Sequence, residues 1–429
     1  MSEFEYSTAV PFSPRAVFDW HCREGALVRL TPPWQKVEIE ARVTGIRQGS
    51  RVFLRLGRGP LRIPWVAEHT LVEPGEGFVD VQVSGPFKAW EHQHRFEPDG
   101  EGGCVLRDRI EYRLPFGGLG RAVGGRYVQE SLSRVFEFRH RRTADDMEFH
   151  SRYSAASPLS VAITGSSGLI GSAVAALLTT GGHRVIRLVR TPGAGHGLSV
   201  LWDPDRGLLE PEKLEGVDAV VHLAGESIAQ GRWTRSKKER ILRSRVEGTS
   251  NLVRSLGELR SPPKTFLSAS AIGIYGNRGD ELLDEESAPG SGFLADVCKR
   301  WEQAAGEAAG LGMRVVTART GVVLSPAGGA LAKMLPAFRL GAGGRLGSGA
   351  QFMSWISIDD AAGGLYHALM RPEISGPMNL VAPNAVRNEE FTRELARVLR
   401  RPALFPMPAV AARALFGQMA DEALLASTR

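Results

Sequence analysis

Val161-Ala-Ile-Thr-Gly165-Ser-Ser-Gly168-Leu-Ile-Gly171, running on into Ser172-Ala-Val-Ala-Ala-Leu-Leu178, decides the fold of this chain. Ser160 to Ile163 reads as a short buried strand and Ile170 to Thr180 as an apolar helix, with three glycines spaced G-x-x-G-x-x-G between them. Gly165 permits a tight exit from the strand, Gly168 lets the backbone approach a pyrophosphate, and Gly171 lets the helix pack closely against the sheet. The first N–H groups of that helix then face an anion. Strand, glycine turn and helix occur in the order that a dinucleotide site requires, which assigns Gly165, Ser166, Ser167, Gly168, Leu169 and Ile170 to cofactor binding.

The rest of the composition fits a globular protein with a small anionic ligand. The chain has 429 residues, 43% hydrophobic and 23% charged, with a formal net charge of +6. That length allows two or three domains. The charge is mild and does not argue for nucleic acid. No apolar run reaches the ~18 residues of a membrane span. The start, Met-Ser-Glu-Phe-Glu-Tyr, has neither basic n-region nor apolar core, so a cytoplasmic location is expected, with no membrane partner. Cys22, Cys104 and Cys298 are isolated thiols, which argues against a disulfide framework or a cysteine metal site.

Upstream of the glycine turn, residues 1–150 read as an α+β domain. Ser13 and Pro14 make a helix start, as N-cap and first helical residue. Alternation follows at Val52, Leu54 and Leu56, at the odd positions of Val79 to Val83, at Trp90, His92, His94 and Phe96, and at Leu106, Asp108, Ile110, Tyr112 and Leu114. Period two with one polar side predicts a half-exposed antiparallel sheet. After Pro115-Phe-Gly-Gly a long helix presents Val128, Leu132, Val135 and Phe136 at helical spacing. This order, with Leu30-Thr-Pro-Pro-Trp34, Gly85-Pro-Phe-Lys-Ala-Trp90 and Arg139-His-Arg-Arg-Thr143, resembles the START-like helix-grip superfamily of polyketide cyclase/dehydrase-like proteins. The resemblance implies a ligand-binding fold with an apolar ligand, and no cyclase activity is carried over. His92 and His94 fall on one strand face, where His69 could join them. A polar stripe or cavity lining is the expected role, and no metal is assigned. Residues 151–158, small, polar and ending in proline, read as the linker.

Downstream, residues 159–429 read as a Rossmann-type parallel sheet domain with a small C-terminal region from about 325. His183 to Val189 is the second strand, ending in Arg190. NAD-selective domains carry an acid at that strand end; a cation there pairs with the 2′-phosphate of NADP. Leu201-Trp-Asp203 is a candidate third strand. Val217 to Gly225 is a buried strand ending in Leu223, Ala224 and Gly225, whose small residues let the backbone run under the cofactor, and Glu226 stands at the cleft mouth. The long basic helix from Gly231 to Val253 contributes Arg240 and Arg245 as candidates for the cofactor phosphates.

Thr265 to Gly276, containing Ser270 and Tyr275, and Arg314 to Leu324, containing Val322, complete the sheet. The sequence motifs T-G-x-x-G-x-x-G, H-L-A-G, I-Y-G and R-T-G-V-V-L resemble the extended short-chain dehydrogenase/reductases of the sugar-nucleotide epimerase kind. Phe293-Leu-Ala-x-x-Cys298-x-x-Trp-Glu302, Gly347-Ser-Gly-x-Gln351 and Trp355-Ile-x-Ile-Asp359 are similar to an atypical epimerase-like family with a C-terminal domain of unknown function, some bacterial members of which carry the helix-grip domain. Arg190 makes NADP(H) the expected cofactor, with Ser270 and Val322 expected beside it. The resemblance also implies a Tyr-x-x-x-Lys pair, but those positions are Leu294 and Cys298. Ser270, Tyr275 and Glu226 remain as catalytic candidates, with Asp296, Cys298 and Lys299 nearby. The expected function is an NADP-dependent oxidoreductase or epimerase-like protein of unknown substrate; the alternative is a catalytically inactive NADP-binding regulatory or scaffolding protein.

At the C-terminal end, Arg339, Arg345 and Gln351 suggest a loop over the substrate cleft. Ile358-Asp-Asp360 is expected to cap a helix from Ala361, Asn388 to N-cap the next, and the chain to stop short of a covering segment in relatives.

Overall fold

A computed structural model describes residues 1–40, 45–57, 62–191, 197–208 and 210–429. The chain divides into two compact units, one of residues 1–158 with 175–183, the other of residues 159–174 with 184–429.

In the first unit, β1 (Ser2–Val10), α1 (Pro14–Cys22), α2 (Ala26–Leu30), β2 (Val37–Ile39), β3 (Arg51–Leu56), β4 (Ile63–Glu73), β5 (Gly77–Ser84), β6 (Ala89–Pro98), β7 (Cys104–Arg113) and α3 (Gly117–Ser151) follow in order. The sheet runs β1-β7-β6-β5-β4-β3-β2, antiparallel throughout. Ser13 caps α1 as expected, its Oγ accepting from Ala16 N. Strand β7 alternates strictly, with Cys104, Leu106, Asp108, Ile110 and Tyr112 buried. Their face packs with α3 residues Val135 and Phe136. Each such aromatic contributes about 1.5–3 kcal/mol of burial. In β5 the alternation has the opposite sense to the valine pattern: Phe78 and Asp80 face inward beside His94 and His92, and Val83 is half exposed. The inner face thus carries titratable groups as well as the apolar lining that the resemblance implied. Between the helices, Arg29 on α2 and Asp146 on α3 form a bidentate ion pair buried at both ends.

The second unit begins with β8 (Ser160–Thr164) and the first half of α4 (Leu169–Thr180), whose residues from Ala175 on belong to the first. Then come β9 (Arg184–Val189), β10 (Leu198–Asp203), β11 (Gly207–Leu208), β12 (Ala219–His222), α5 (Arg235–Gly257), β13 (Thr265–Ala271), α6 (Phe293–Gly306) and β14 (Arg314–Thr320). The remainder is β15 (Val322–Ser325), α7 (Gly329–Arg339), β16 (Phe352–Met353), β17 (Trp355–Ser357), α8 (Ile358–Met370), β18 (Gly376–Leu380), β19 (Val386–Arg387), α9 (Asn388–Leu399) and α10 (Ala409–Phe416). The main sheet runs β11-β10-β9-β8-β12-β13-β14-β18, parallel apart from the β11 edge. Strand order reverses between β8 and β12, which opens a crevice at their carboxyl ends. Beneath it Ala162, Ile186, Val220, Leu252 and Phe266 form a dry core.

Two helix starts differ from expectation. Ser357, not Ile358 or the aspartates, caps α8, because its Oγ reaches Asp360 N. Asn388 lies inside α9, and its buried side chain accepts from Leu346 N instead of capping its own helix. Among the described residues, no helix is long and apolar enough to cross a membrane.

Candidate cofactor site

Gly165 leaves β8 at φ +66, a conformation open to glycine at little cost. A Cβ there would sit 2.9 Å from the Leu223 backbone, so turn and β12 exit are in close contact. Gly168 closes the turn by donating to Gly165 O at 2.9 Å. The third glycine works differently from expectation. A Cβ on Gly171 would meet Gly165 O at 2.2 Å, so it seats the helix against the glycine turn itself. The first N–H groups of α4 have no partner within the helix and point out of its end, over the crevice. Ser166 is buried in the turn, whereas Ser167 and Gly168 are exposed to a ligand.

The floor of the crevice is fixed by a hydrogen-bond chain that the sequence reading passed over. Thr249 Oγ donates to Arg245 O, so it accepts from His222 Nε2, 3.0 Å away. Burial pushes the His222 imidazole down to about 3, which makes it neutral. Its Nδ1 must therefore accept from Thr164 Oγ at 2.9 Å. Thr164 in turn accepts from Leu223 N and Ala224 N at 3.0 and 3.1 Å. Every polar atom in the chain is satisfied, and the Leu223–Gly225 segment is held in place. The histidine in H-L-A-G was the available signal; its threonine partners are far apart in sequence.

Charges surround this floor. Thr164 lies opposite Leu188 on β9, which brings the exposed Arg190 level with the glycine turn. Arg245 Nη1 donates to Glu226 O at 3.0 Å, and its guanidinium lies over Trp301 and 3.1 Å from a Cβ position on Gly225. Desolvation lowers its pKa. Arg240 is mostly exposed and 3.7 Å from Glu226. Val322 is less available than expected, since its N–H already donates to Ser354 O.

The catalytic candidates are all occupied. Glu226 accepts from the buried Lys237 at 2.6 Å, and this bond keeps its carboxyl below the usual range. Ser270 Oγ donates to Glu302 Oε1 at 2.6 Å. Tyr275 is 2% exposed; its hydroxyl donates to Asn379 and accepts from Arg319. Arg319 also forms a bidentate pair with Glu302. These residues form one buried structural knot joining β13, α6, β14 and β18. Asp296 and Lys299 pair with each other on the exposed side of α6. At the two positions of the missing pair, Leu294 joins an apolar cluster with Trp233 and Ile241, while Cys298 is buried and its thiol is pushed up to about 11 by desolvation. Gln351 is a tie as well, donating to Leu346 O and Leu424 O.

Residues 161–380 match the NAD dependent epimerase/dehydratase family, and residues 10–136 match the family described as polyketide cyclase/dehydrase and lipid transport. An epimerase family protein of Mycobacterium bovis is 47% identical over 269 residues, 63% of this chain and 88% of that protein. The chain belongs to the NAD dependent epimerase/dehydratase family. The human epimerase family protein SDR39U1 is 38% identical over 60% of this chain and 86% of its own length. Its crystal structure with NADPH aligns at TM-score 0.57 and 36% identity, over 63% of this chain and 90% of that one. A nucleoside-diphosphate sugar epimerase from Corynebacterium glutamicum matches both units, at TM-score 0.80 and 38% identity over 99% of this chain and 84% of that structure. This epimerase-family chain is therefore an NAD(P)-binding protein, and its glycine cradle fits that cofactor: the turn and the β12 exit both lie where a side chain would collide.

Proposed function

We propose that this epimerase-family chain binds NADP(H) and does not carry out the tyrosine-dependent proton transfer of its parent class. The observation that carries the reading is the state of α6, where Leu294 is packed into an apolar cluster and Cys298 is a buried, protonated thiol. NADP(H), when bound, supplies hydride chemistry at its nicotinamide. The chain's own residues bind and orient: the α4 N-terminus and glycine turn face the pyrophosphate, and the Thr164–His222–Thr249 chain fixes the backbone beneath. Arg190 faces the 2′-phosphate, an assignment supported by the NADPH in the human relative's structure. Isothermal titration of the full chain tests it: NADPH binding tighter than NADH, with the preference lost in Arg190→Glu, is the expected result. Equal affinity for both would overturn the assignment.

A second reading, NADP(H)-dependent oxidation or reduction of an unidentified small molecule, rests on the same thiol. Because Cys298 keeps its proton at neutral pH, it could donate where lysine stands in other members. It requires turnover that Cys298→Ala abolishes.

A further inference from the structure

We propose that the N-terminal unit binds a zinc ion through Asp80, His92 and His94, with Asp108 as the carboxylate that orients His92 and lies beside His94. The H-x-H pattern on β6 reads from sequence as a polar stripe or lining, and the structure surrounds it with two carboxylates. Asp80 on β5 lies opposite His92, and Asp108 on β7 lies opposite His94, so three adjacent strands bring the four side chains together. One ligand atom from each of Asp80, His92 and His94 falls within a 4.8 Å group.

The distances separate two kinds of contact. His92 Nδ1 and His94 Nε2 stand 3.4 and 3.6 Å from the same oxygen, Asp80 Oδ1. Hydrogen bonds of this type span about 2.7–3.2 Å, so both are too long. Ligands about 2.0–2.1 Å from one tetrahedral ion lie about 3.3–3.5 Å apart, within 0.1 Å of both contacts. The opposite nitrogens, His92 Nε2 and His94 Nδ1, approach Asp108 Oδ1 to 2.9 and 2.6 Å. A carboxylate hydrogen-bonded behind a ligating imidazole, as Asp108 stands behind His92, fixes tautomer and ring orientation in metal sites. His140 on α3 holds the other Asp108 oxygen at 2.6 Å.

Burial points the same way. His92, His94 and Asp108 are 4%, 8% and 3% exposed. The rings of His92 and His94 are 3.8 Å apart, which turns their ligand nitrogens toward one oxygen of Asp80. His94 Nδ1 is close to Asp108 yet makes no aligned hydrogen bond, and His140 Nδ1 is buried without a partner among the described residues. Asp80, His92 and His94 offer one oxygen and two nitrogens to a single point, and zinc takes N and O donors in this number. Three protein ligands leave a fourth position for water or a ligand atom.

The test uses the full-length, tag-free chain, stripped by chelator and dialysed against zinc, with metal content read by mass spectrometry. One zinc per chain, and a tetrahedral d–d spectrum on cobalt substitution, are expected. Asp80→Asn, His92→Gln and His94→Gln should each abolish uptake, while Asp108→Asn should bind zinc about 10–100-fold more weakly. His367→Gln, outside the cluster, should retain full uptake. Failure of the wild-type chain to take up zinc overturns the proposal, as does an octahedral cobalt spectrum or undiminished uptake in the Asp80 and His92 variants. If those variants do not fold, the wild-type stoichiometry and cobalt spectrum decide.

Discussion

Replacing Thr164 by valine removes one hydroxyl and keeps the shape, which isolates the chain that floors the crevice. Three partners lose their bond: His222 Nδ1, Leu223 N and Ala224 N. His222 is fully buried, so its acceptor costs about 1–3 kcal/mol when left unmade. The two amides are only half buried and water can reach them, so each loses nearer the net bond value of about 0.5–1.5 kcal/mol. About 3 kcal/mol is therefore expected for Thr164→Val. Thr164→Ser keeps the hydroxyl and loses a buried methyl, for about 1 kcal/mol. Because two units need not unfold together, hydrogen exchange of the β8 and β12 amides in the full chain is the suitable assay. Exchange should quicken by roughly 100-fold in the valine variant and by roughly 5-fold in the serine variant, at about 1.4 kcal/mol per tenfold. Equal effects would refute the bond assignment, since they would leave packing as the whole cost.

Three other outcomes follow from the same geometry. Burial keeps His222 unprotonated in the fold down to about pH 3, against 6.5 for a free imidazole, so the unfolded chain binds one more proton between these limits. Stability at β12 is full above pH 6.5 and falls on acidification by about 1.4 kcal/mol per pH unit, a slope that His222→Gln should flatten in pH-dependent hydrogen exchange. Gly171→Ala forces a Cβ to 2.2 Å from Gly165 O and should lower stability and abolish NADPH binding, whereas Gly168→Ala, at 3.2 Å, should fold but bind NADPH at least ~10-fold more weakly by calorimetry. Tyr275→Phe loses two buried hydrogen bonds and should cost about 1–3 kcal/mol in urea unfolding with NADPH affinity unchanged; a large loss of affinity would return Tyr275 to the site.

Much of the fold could be read from local pattern. The strand–glycine–helix order placed β8 and α4 to within a residue, and the alternation of β6 and β7 put His92, His94 and Asp108 on one face. What stayed hidden depends on residues distant in sequence. Tyr275, Ser270 and Glu226 looked available because Arg319, Glu302 and Lys237, which occupy them, arrive from other elements. Asn388 looked like a cap because its partner, Leu346 N, is in another segment. The valines of β5 looked like a core face because hydrophobicity alone decides the pattern, and the buried side instead carries Asp80 among histidines.

An epimerase-family chain that holds NADP(H) without the tyrosine-dependent proton transfer of its parent class should bind the cofactor and leave it unconsumed. The most direct measurement follows nicotinamide absorbance of stoichiometric NADPH bound to the full chain, mixed in turn with carbonyl, quinone and nucleotide-sugar acceptors. Saturated binding with no NADPH consumed is the predicted result. Consumption that saturates with any one acceptor would contradict it, and its loss in Cys298→Ala would assign the turnover to that thiol.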